Sequence, residues 1–133
     1  MAVEIILSIV LLTVFTMVLY YRVSFVKMPS SQDKEWTLEE LQKYDGSDPS
    51  LPVYLSIKGH VFDVSKSRSM YSPPAGYSCF AGKDASKALG KSSLKPEDCV
   101  SDISELSEEE LKTLDQWFAH YQKKYQLVGL LRQ

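Results

Sequence analysis

Seventeen consecutive residues without a charge, Ile5 to Tyr21 (IILSIVLLTVFTMVLYY), constrain this chain more than any other feature. A helix of that length rises about 25 Å, near the lower limit for crossing a bilayer. Ser8, Thr13 and Thr16 are tolerable inside such a helix, and Tyr20, Tyr21 and Arg22 have the make-up of an interfacial belt with a positive anchor. A cleaved signal peptide is the competing reading. It fits less well, because Glu4 stands where a basic n-region belongs and no A-x-A-like site follows the run. Residues 1–23 are therefore expected to be a retained transmembrane signal anchor. Arg22 and Lys27 follow the run, so the positive-inside rule puts the C-terminal body in the cytosol and the N-terminus on the lumenal or exterior side. A span this short suits a thin bilayer and so the endoplasmic reticulum, with the plasma membrane or another endomembrane as the alternative.

The rest of the 133 residues has room for one domain of ordinary size. At 44% hydrophobic and 24% charged residues it can bury a core. The formal net charge is −2; removing the first 33 residues takes away Arg22, Lys27, Glu4 and Asp33 and leaves that balance unchanged. A body without positive excess is not expected to bind nucleic acid. Two cysteines, Cys79 and Cys99, make no C-x-x-C pair and no metal-site spacing. In a reducing cytosol both read as ordinary thiols.

Ser24 to Glu35 is polar, with Pro29-Ser30-Ser31-Gln32, and reads as a linker (24–35) before a domain at 36–133. Thr37-Leu38-Glu39-Glu40 is a capping box that starts a short helix ending at Asp45-Gly46. Val53 to Ile57 and His60 to Val64 read as two strands joined at Lys58-Gly59, a hairpin. Lys83 to Leu89 reads as a short helix halted by Gly90, and Lys91 to Asp102 as a loop. Ser107 with Glu110 reads as a second capping box. After it, Leu111, Leu114, Trp117, Phe118 and Tyr121 make an apolar helix face, closed by Lys123 and Lys124. Tyr125 to Leu131 is a terminal extended segment. His60 reads as a strand residue without a ligand role, and His120 as a solvated or capping imidazole. The irregular succession of strands and helices predicts a small α+β domain with a short mixed sheet and framing helices.

Between hairpin and long helix lies SMYSPPAGYSCFAGKDASKAL, residues 69 to 89. Pro73 and Pro74 fix φ and remove two donors, and Gly76 is expected to permit a turn that other residues resist. Such a loop can hold the phenols of Tyr71 and Tyr77 at the mouth of a pocket. A plain surface turn with two half-buried tyrosines is the alternative.

Four segments carry a resemblance: WTLEELQKYDG, IKGHVFDVS, MYSPPAGYSCFAGKDASKAL and KKYQLVG, in order across positions 36 to 130. The chain resembles the membrane-associated progesterone receptor component family, a branch of the cytochrome b5-like haem/steroid-binding domains. Ordinary cytochrome b5 domains carry His-Pro-Gly-Gly and a second ligand histidine. This chain has no His-Pro-Gly-Gly, so bis-histidine haem is disfavoured. The resemblance implies instead a single tyrosinate bond to ferric haem, with Tyr77 as ligand, Tyr71 as a second pocket tyrosine, and Lys124 and Tyr125 beside the haem. The chemistry is coherent. A phenol titrates near about 10, yet a bound trivalent iron can hold it as phenolate. Lys124 offers a positive charge to a propionate, and Tyr71 and Tyr125 offer hydroxyl donors.

The resemblance further implies steroid or sterol binding and assistance to membrane haem-thiolate monooxygenases, with a homodimer left open. No Ser/His/Asp or Cys/His set, carboxylate dyad or phosphate-cradling loop is visible, so the chain reads as a non-enzyme. Two other classes of function stay open. One is a haem-free membrane adaptor that organises enzymes. The other is a secreted neudesin-like signalling protein with Cys79 and Cys99 oxidised.

Overall fold

The apolar run forms one helix, α1 (Ala2–Ser24), in the computed structural model of the protein, which describes residues 1–24 and 30–133. Its Ala2–Arg22 stretch is long and apolar enough to cross a membrane, with a mean hydropathy of 2.6. The hydroxyls of Thr13 and Thr16 donate to the carbonyls of Val10 and Thr13, each at 2.9 Å, so neither needs water. Lys27 and residues 25–29 of the expected linker lie outside the described residues. The chain divides into two units, Met1–Ser30 and Ser31–Gln133.

In the second unit a four-stranded mixed sheet runs in the order β1 (Glu35–Trp36), β4 (Gln126–Leu131), β3 (His60–Asp63), β2 (Tyr54–Ile57). Strands β2 and β3 are the expected hairpin, antiparallel with Ile57 opposite His60. Lys58 and Gly59 turn it at positive φ, 51° and 74°. Strand β1 is parallel to β4. Two residues carry no readable periodicity, and β1 exists because β4 recruits it: Leu130 N–H donates to Lys34 O at 2.9 Å and Arg132 N–H to Trp36 O at 2.7 Å. Glu35, read from sequence as the end of the linker, is thereby part of the sheet. Gly129 makes this closure feasible. Its φ is +144°, and a Cβ there would overlap the Lys34 carbonyl and sit 2.7 Å from Trp36 Nε1.

Thr37 begins helix α2 (Leu38–Leu41) with the full capping box: Glu40 N–H donates to Thr37 Oγ1 at 3.1 Å and Thr37 N–H to Glu40 Oε2 at 3.2 Å. The long helix α5 (Glu108–Lys124) is capped only halfway. Ser107 Oγ accepts from Glu110 N–H at 3.2 Å, while Glu110 Oε2 is buried without a hydrogen-bond partner among the described residues. The Glu110 side chain is drawn inward and does not reach back, which corrects the second capping box.

Val53, Leu55, Ile57, Phe62, Val64 and Leu114, all at most 1% exposed, form the core between the sheet and α5. A smaller cluster of Trp36, Leu41 and Val61 closes the other side of the sheet. Burial of these side chains, each contributing about 1.5–3 kcal/mol when complete, is the principal stabilising term.

Candidate functional site

The Phe80 to Ala85 run is stitched to the edge of β2. Gly82 N–H donates to Tyr54 O at 2.7 Å, Ser56 N–H to Lys83 O at 2.9 Å, and Ala85 N–H to Ser56 O at 2.8 Å. Asp84 is 2% exposed, and its carboxylate accepts from Ser56 Oγ and Ser86 N–H, both at 2.9 Å. These bonds keep Lys83 and Asp84 extended, so α4 starts later than its composition suggests and spans Ser86–Gly90. Gly82 sits at φ +71°, where a Cβ would come within 2.9 Å of Asp45 Cβ. Gly76, expected to need such freedom, has open space around it and no positive φ. Its turn is an ordinary 3₁₀ turn, Gly76–Cys79, that any small residue could enter.

This scaffold holds four phenols around a cavity of about 420 Å³. Tyr71 ends helix α3 (Arg68–Tyr71) and is 4% exposed. It is therefore an inner wall and not a mouth residue. Its hydroxyl lies 2.5 Å from that of Tyr121, itself 3% exposed. Tyr125 Oη donates in turn to Ser67 Oγ at 2.9 Å. Burial, then the neighbouring phenols, push Tyr71 well above the usual phenol range, and burial pushes Tyr121 up to about 12. These groups stay protonated at neutral pH, as donors and acceptors of neutral hydrogen bonds.

Tyr77 differs. It lies in the 3₁₀ turn, is 39% exposed, and stacks on Phe80 with centroids 5.8 Å apart and planes 13° apart. Tyr71 leans against it at 6.0 Å. Among the described residues its hydroxyl makes no hydrogen bond, unlike the hydroxyls of the other three. Lys124 lines the same cavity, with Nζ 5.3 Å from the Tyr125 ring and no carboxylate within salt-bridge distance among the described residues.

Tyr71, Tyr77, Lys124 and Tyr125, the four residues expected from sequence, thus all line one cavity. Three further lining residues on α5, Trp117, His120 and Tyr121, read from sequence as core or solvent positions. The signal was present: 117, 120, 121 and 124 recur at helical spacing on one stripe. His120 packs edge-on against Trp117 and Tyr121, at 5.9 and 6.1 Å. His60 is elsewhere, with Nδ1 2.9 Å from Lys58 O. No two histidines therefore face each other across the cavity.

The donor set suits a flat carboxylate-bearing macrocycle with a hard metal centre: apolar walls and, among the described residues, one phenol oxygen left unspent and one ammonium without a carboxylate partner. Among the described residues no group of three His, Cys, Asp or Glu side chains could hold a bare ion.

A mixed four-stranded sheet whose helices frame a cleft defines a small binding domain of cytochrome b5-like architecture. Residues 37–129 match the family described as cytochrome b5-like Heme/Steroid binding domain. The chain is 50% identical over 98 residues to membrane steroid-binding protein 2 of Oryza sativa subsp. japonica, covering 74% of this chain and 37% of that protein. It is 47% identical over 95 residues to probable steroid-binding protein 3 of Arabidopsis thaliana, covering 71% and 95%. It is 40% identical over 118 residues to the cytochrome P450 regulator dap1 of Schizosaccharomyces pombe, covering 81% and 70%. A solved Arabidopsis thaliana structure, described as having a cytochrome b5 like fold, superposes with a TM-score of 0.70 at 44% identity, covering 77% and 94%. The chain spans less than half the length of several membrane steroid-binding relatives, 37% to 45%. It belongs to the cytochrome b5-like haem/steroid-binding domain family, in the membrane-associated progesterone receptor component branch.

Proposed function

We propose that the protein is a membrane-anchored haem-binding module in which Tyr77 is the one protein ligand to ferric iron. The observation that carries this is the contrast among the cavity phenols: three spend their hydroxyls on one another or on Ser67, and Tyr77 spends its on nothing among the described residues. The iron, when bound, supplies a hard Lewis-acidic centre that holds a phenolate. The chain supplies the rest. Phe80 and Tyr71 fix the plane of the Tyr77 ring, Lys124 offers a cation to a propionate, and the bonded Tyr71 and Tyr125 phenols wall the cavity.

The same cavity is proposed to accept a steroid or sterol. Its volume falls within the range of small-molecule pockets, about 300–1,000 Å³, and its walls are largely apolar with a few placed hydroxyls. Two relatives named as steroid-binding proteins support this. One named as a cytochrome P450 regulator supports a role assisting membrane haem-thiolate monooxygenases, as a non-enzymatic partner. The proposed layout is an anchor at 1–23, a linker at 24–35 and the binding domain at 36–133, in the endoplasmic reticulum membrane with the domain cytosolic. Protease added to intact microsomes should digest the domain; full protection overturns that orientation.

Haemin titration of the purified chain tests the central claim, read by a Soret band and by the affinity. Tyr77→Phe keeps the ring and its stacking and deletes the oxygen. A large loss of affinity with unchanged folding is expected. Unchanged affinity and an unchanged spectrum show that Tyr77 is not the ligand. A wild-type chain with no Soret band favours the haem-free adaptor.

A further inference from the structure

We propose that the rim of the cavity docks on the bilayer surface, so that the cavity mouth opens onto lipid. Met70, Tyr77, Leu94 and Trp117 come from separate segments of the chain, and all four line this one cavity. Each keeps between 38% and 53% of its surface exposed. Leu38, Val100 and Leu130 are the other large apolar side chains as exposed within 31–133, and none of them lines it. Scattered singly, such residues need no explanation. Gathered around one opening, they mark a surface that a partner covers.

The chemistry of the ring points to lipid. A tryptophan and a tyrosine beside aliphatic side chains have the make-up of the belts at membrane–water boundaries. Cations edge the ring. Lys124 lines the cavity, and Lys66 donates to the Lys124 carbonyl with its Nζ 5.0 Å from the Tyr125 ring centroid. Lys91 and Lys95 are exposed on either side of the Ser92–Leu94 wall. The acids that follow are Glu97, which is exposed, and Asp98, whose carboxylate accepts from Ser93 Oγ at 2.6 Å. No acid lines the cavity among the described residues. Such an edge fits an anionic cytosolic leaflet, and lysine stems can lie along apolar surface with the ammonium among the headgroups. A second copy meeting this face with its own would set lysines against lysines, which disfavours self-association.

The chain brings its own bilayer. Residues 25–30 alone separate Ser24, the end of α1, from Ser31–Asp33, the first turn of the domain. A stretch that short spans at most roughly 25 Å at about 3.5 Å per residue, so a membrane held by α1 is within the chain's reach. Docking is then an intramolecular event, for which a modest apolar ring suffices. It rests on the reading of α1 as an anchor. Its consequence rests on the steroid reading: a sterol dissolved in the leaflet enters the cavity without crossing water.

The test uses the full chain, without haemin, in vesicles of phosphatidylcholine and phosphatidylserine whose acyl chains are plain or brominated near the headgroup. The chain has two tryptophans, and Trp36 is buried on the other side of the sheet. Emission that wild type loses in brominated vesicles and Trp117→Phe does not is therefore that of Trp117. Most of the Trp117 emission should be lost. Met70→Asp combined with Leu94→Asp should restore it, with unchanged far-UV circular dichroism. Pure phosphatidylcholine should quench less, and equal quenching there overturns the part given to the lysines. Equal Trp117 emission in plain and brominated vesicles, or quenching that survives the double variant, overturns the docking. So does shielding of Trp117 from aqueous iodide that grows with the protein-to-lipid ratio without bromine quenching, which makes the face an interface between copies. Alkaline carbonate extraction of the same vesicles reads the anchor by itself. A chain that washes off overturns the anchor, while the quenching still decides the docking.

Discussion

Two aromatic groups lie on this domain, one closed on itself and the other lining a cavity. On one side Trp36, Tyr44 and Tyr54 close on each other. Tyr44 and Tyr54 stack at 4.7 Å, and Trp36 meets both edge-on at 5.3 Å. Trp36 Nε1 donates to Val128 O at 3.0 Å, and the Lys34 ammonium covers the indole at 3.6 Å. On the other side Tyr71, Tyr77, Tyr121 and Tyr125 meet each other on one flank and a cavity on the next. The residue types are nearly the same. What differs is the surroundings: the first group's rings close on one another around the buried Trp36 indole, with Tyr44 and Tyr54 half-buried, while the second leaves a ring edge, a phenol oxygen and an ammonium facing open volume. Aromatic content does not make a pocket; unspent bonding capacity beside a void does.

The largest effect should come from breaking the sealed side. Trp36→Ala removes an indole that is 4% exposed and is expected to cost about 3–5 kcal/mol of folding stability. Tyr77→Phe, on the open side, should leave stability nearly unchanged while haemin affinity falls. Urea unfolding of both variants checks the pair. If Tyr77→Phe proves the more destabilising, the division into a sealed and an open group is inverted.

A smaller contrast uses two glycines. Gly129 is on the sealed side at φ +144° and faces the Lys34 carbonyl, so Gly129→Ala should cost on the order of 1–3 kcal/mol. Gly76 is on the open side with nothing within 4 Å and no positive φ. Gly76→Ala should stay within about 0.5 kcal/mol. Thermal melts of the two variants decide it. Equal shifts would mean that the Tyr77 turn is under a backbone constraint that its geometry does not display.

Which of these features the sequence displays depends on how local they are. The Lys58-Gly59 hairpin and the Thr37 cap are written in adjacent residues and form as expected. Strand β1 is not, because two residues become a strand only when β4 arrives from more than ninety positions away. The second capping box fails because burial of Glu110 outweighs a local bond. At the site, the resemblance in the Tyr71 to Leu89 loop and the Lys124-Tyr125 pair reaches four cavity residues. Tyr121 escapes, since an apolar helix stripe looks the same whether it meets core or cavity. Only the bond from its hydroxyl to Tyr71 tells the two apart, and that bond joins positions fifty residues apart.

Tyr121→Phe probes that bond, with a smaller expected effect than Trp36→Ala. It removes the hydroxyl 2.5 Å from Tyr71 and leaves that buried phenol without its partner, so the loss at neutral pH should be about 1–3 kcal/mol. The pH dependence identifies the group. Folded Tyr121 holds its proton up to about 12, whereas an unfolded tyrosine releases it near about 10. Above pH 10 the unfolded state therefore binds fewer protons than the native state, and stability falls with rising pH. The contribution is fully present below about pH 10 and is lost as pH rises through about 12. Phenylalanine has no proton to hold, so the variant should lose stability less steeply across that window. Urea unfolding at pH 8 and at successive values up to 12 should show the two stabilities converging. Curves that stay parallel would mean that Tyr121 titrates alike folded and unfolded, and that the inner wall of the cavity is wet where its geometry is dry.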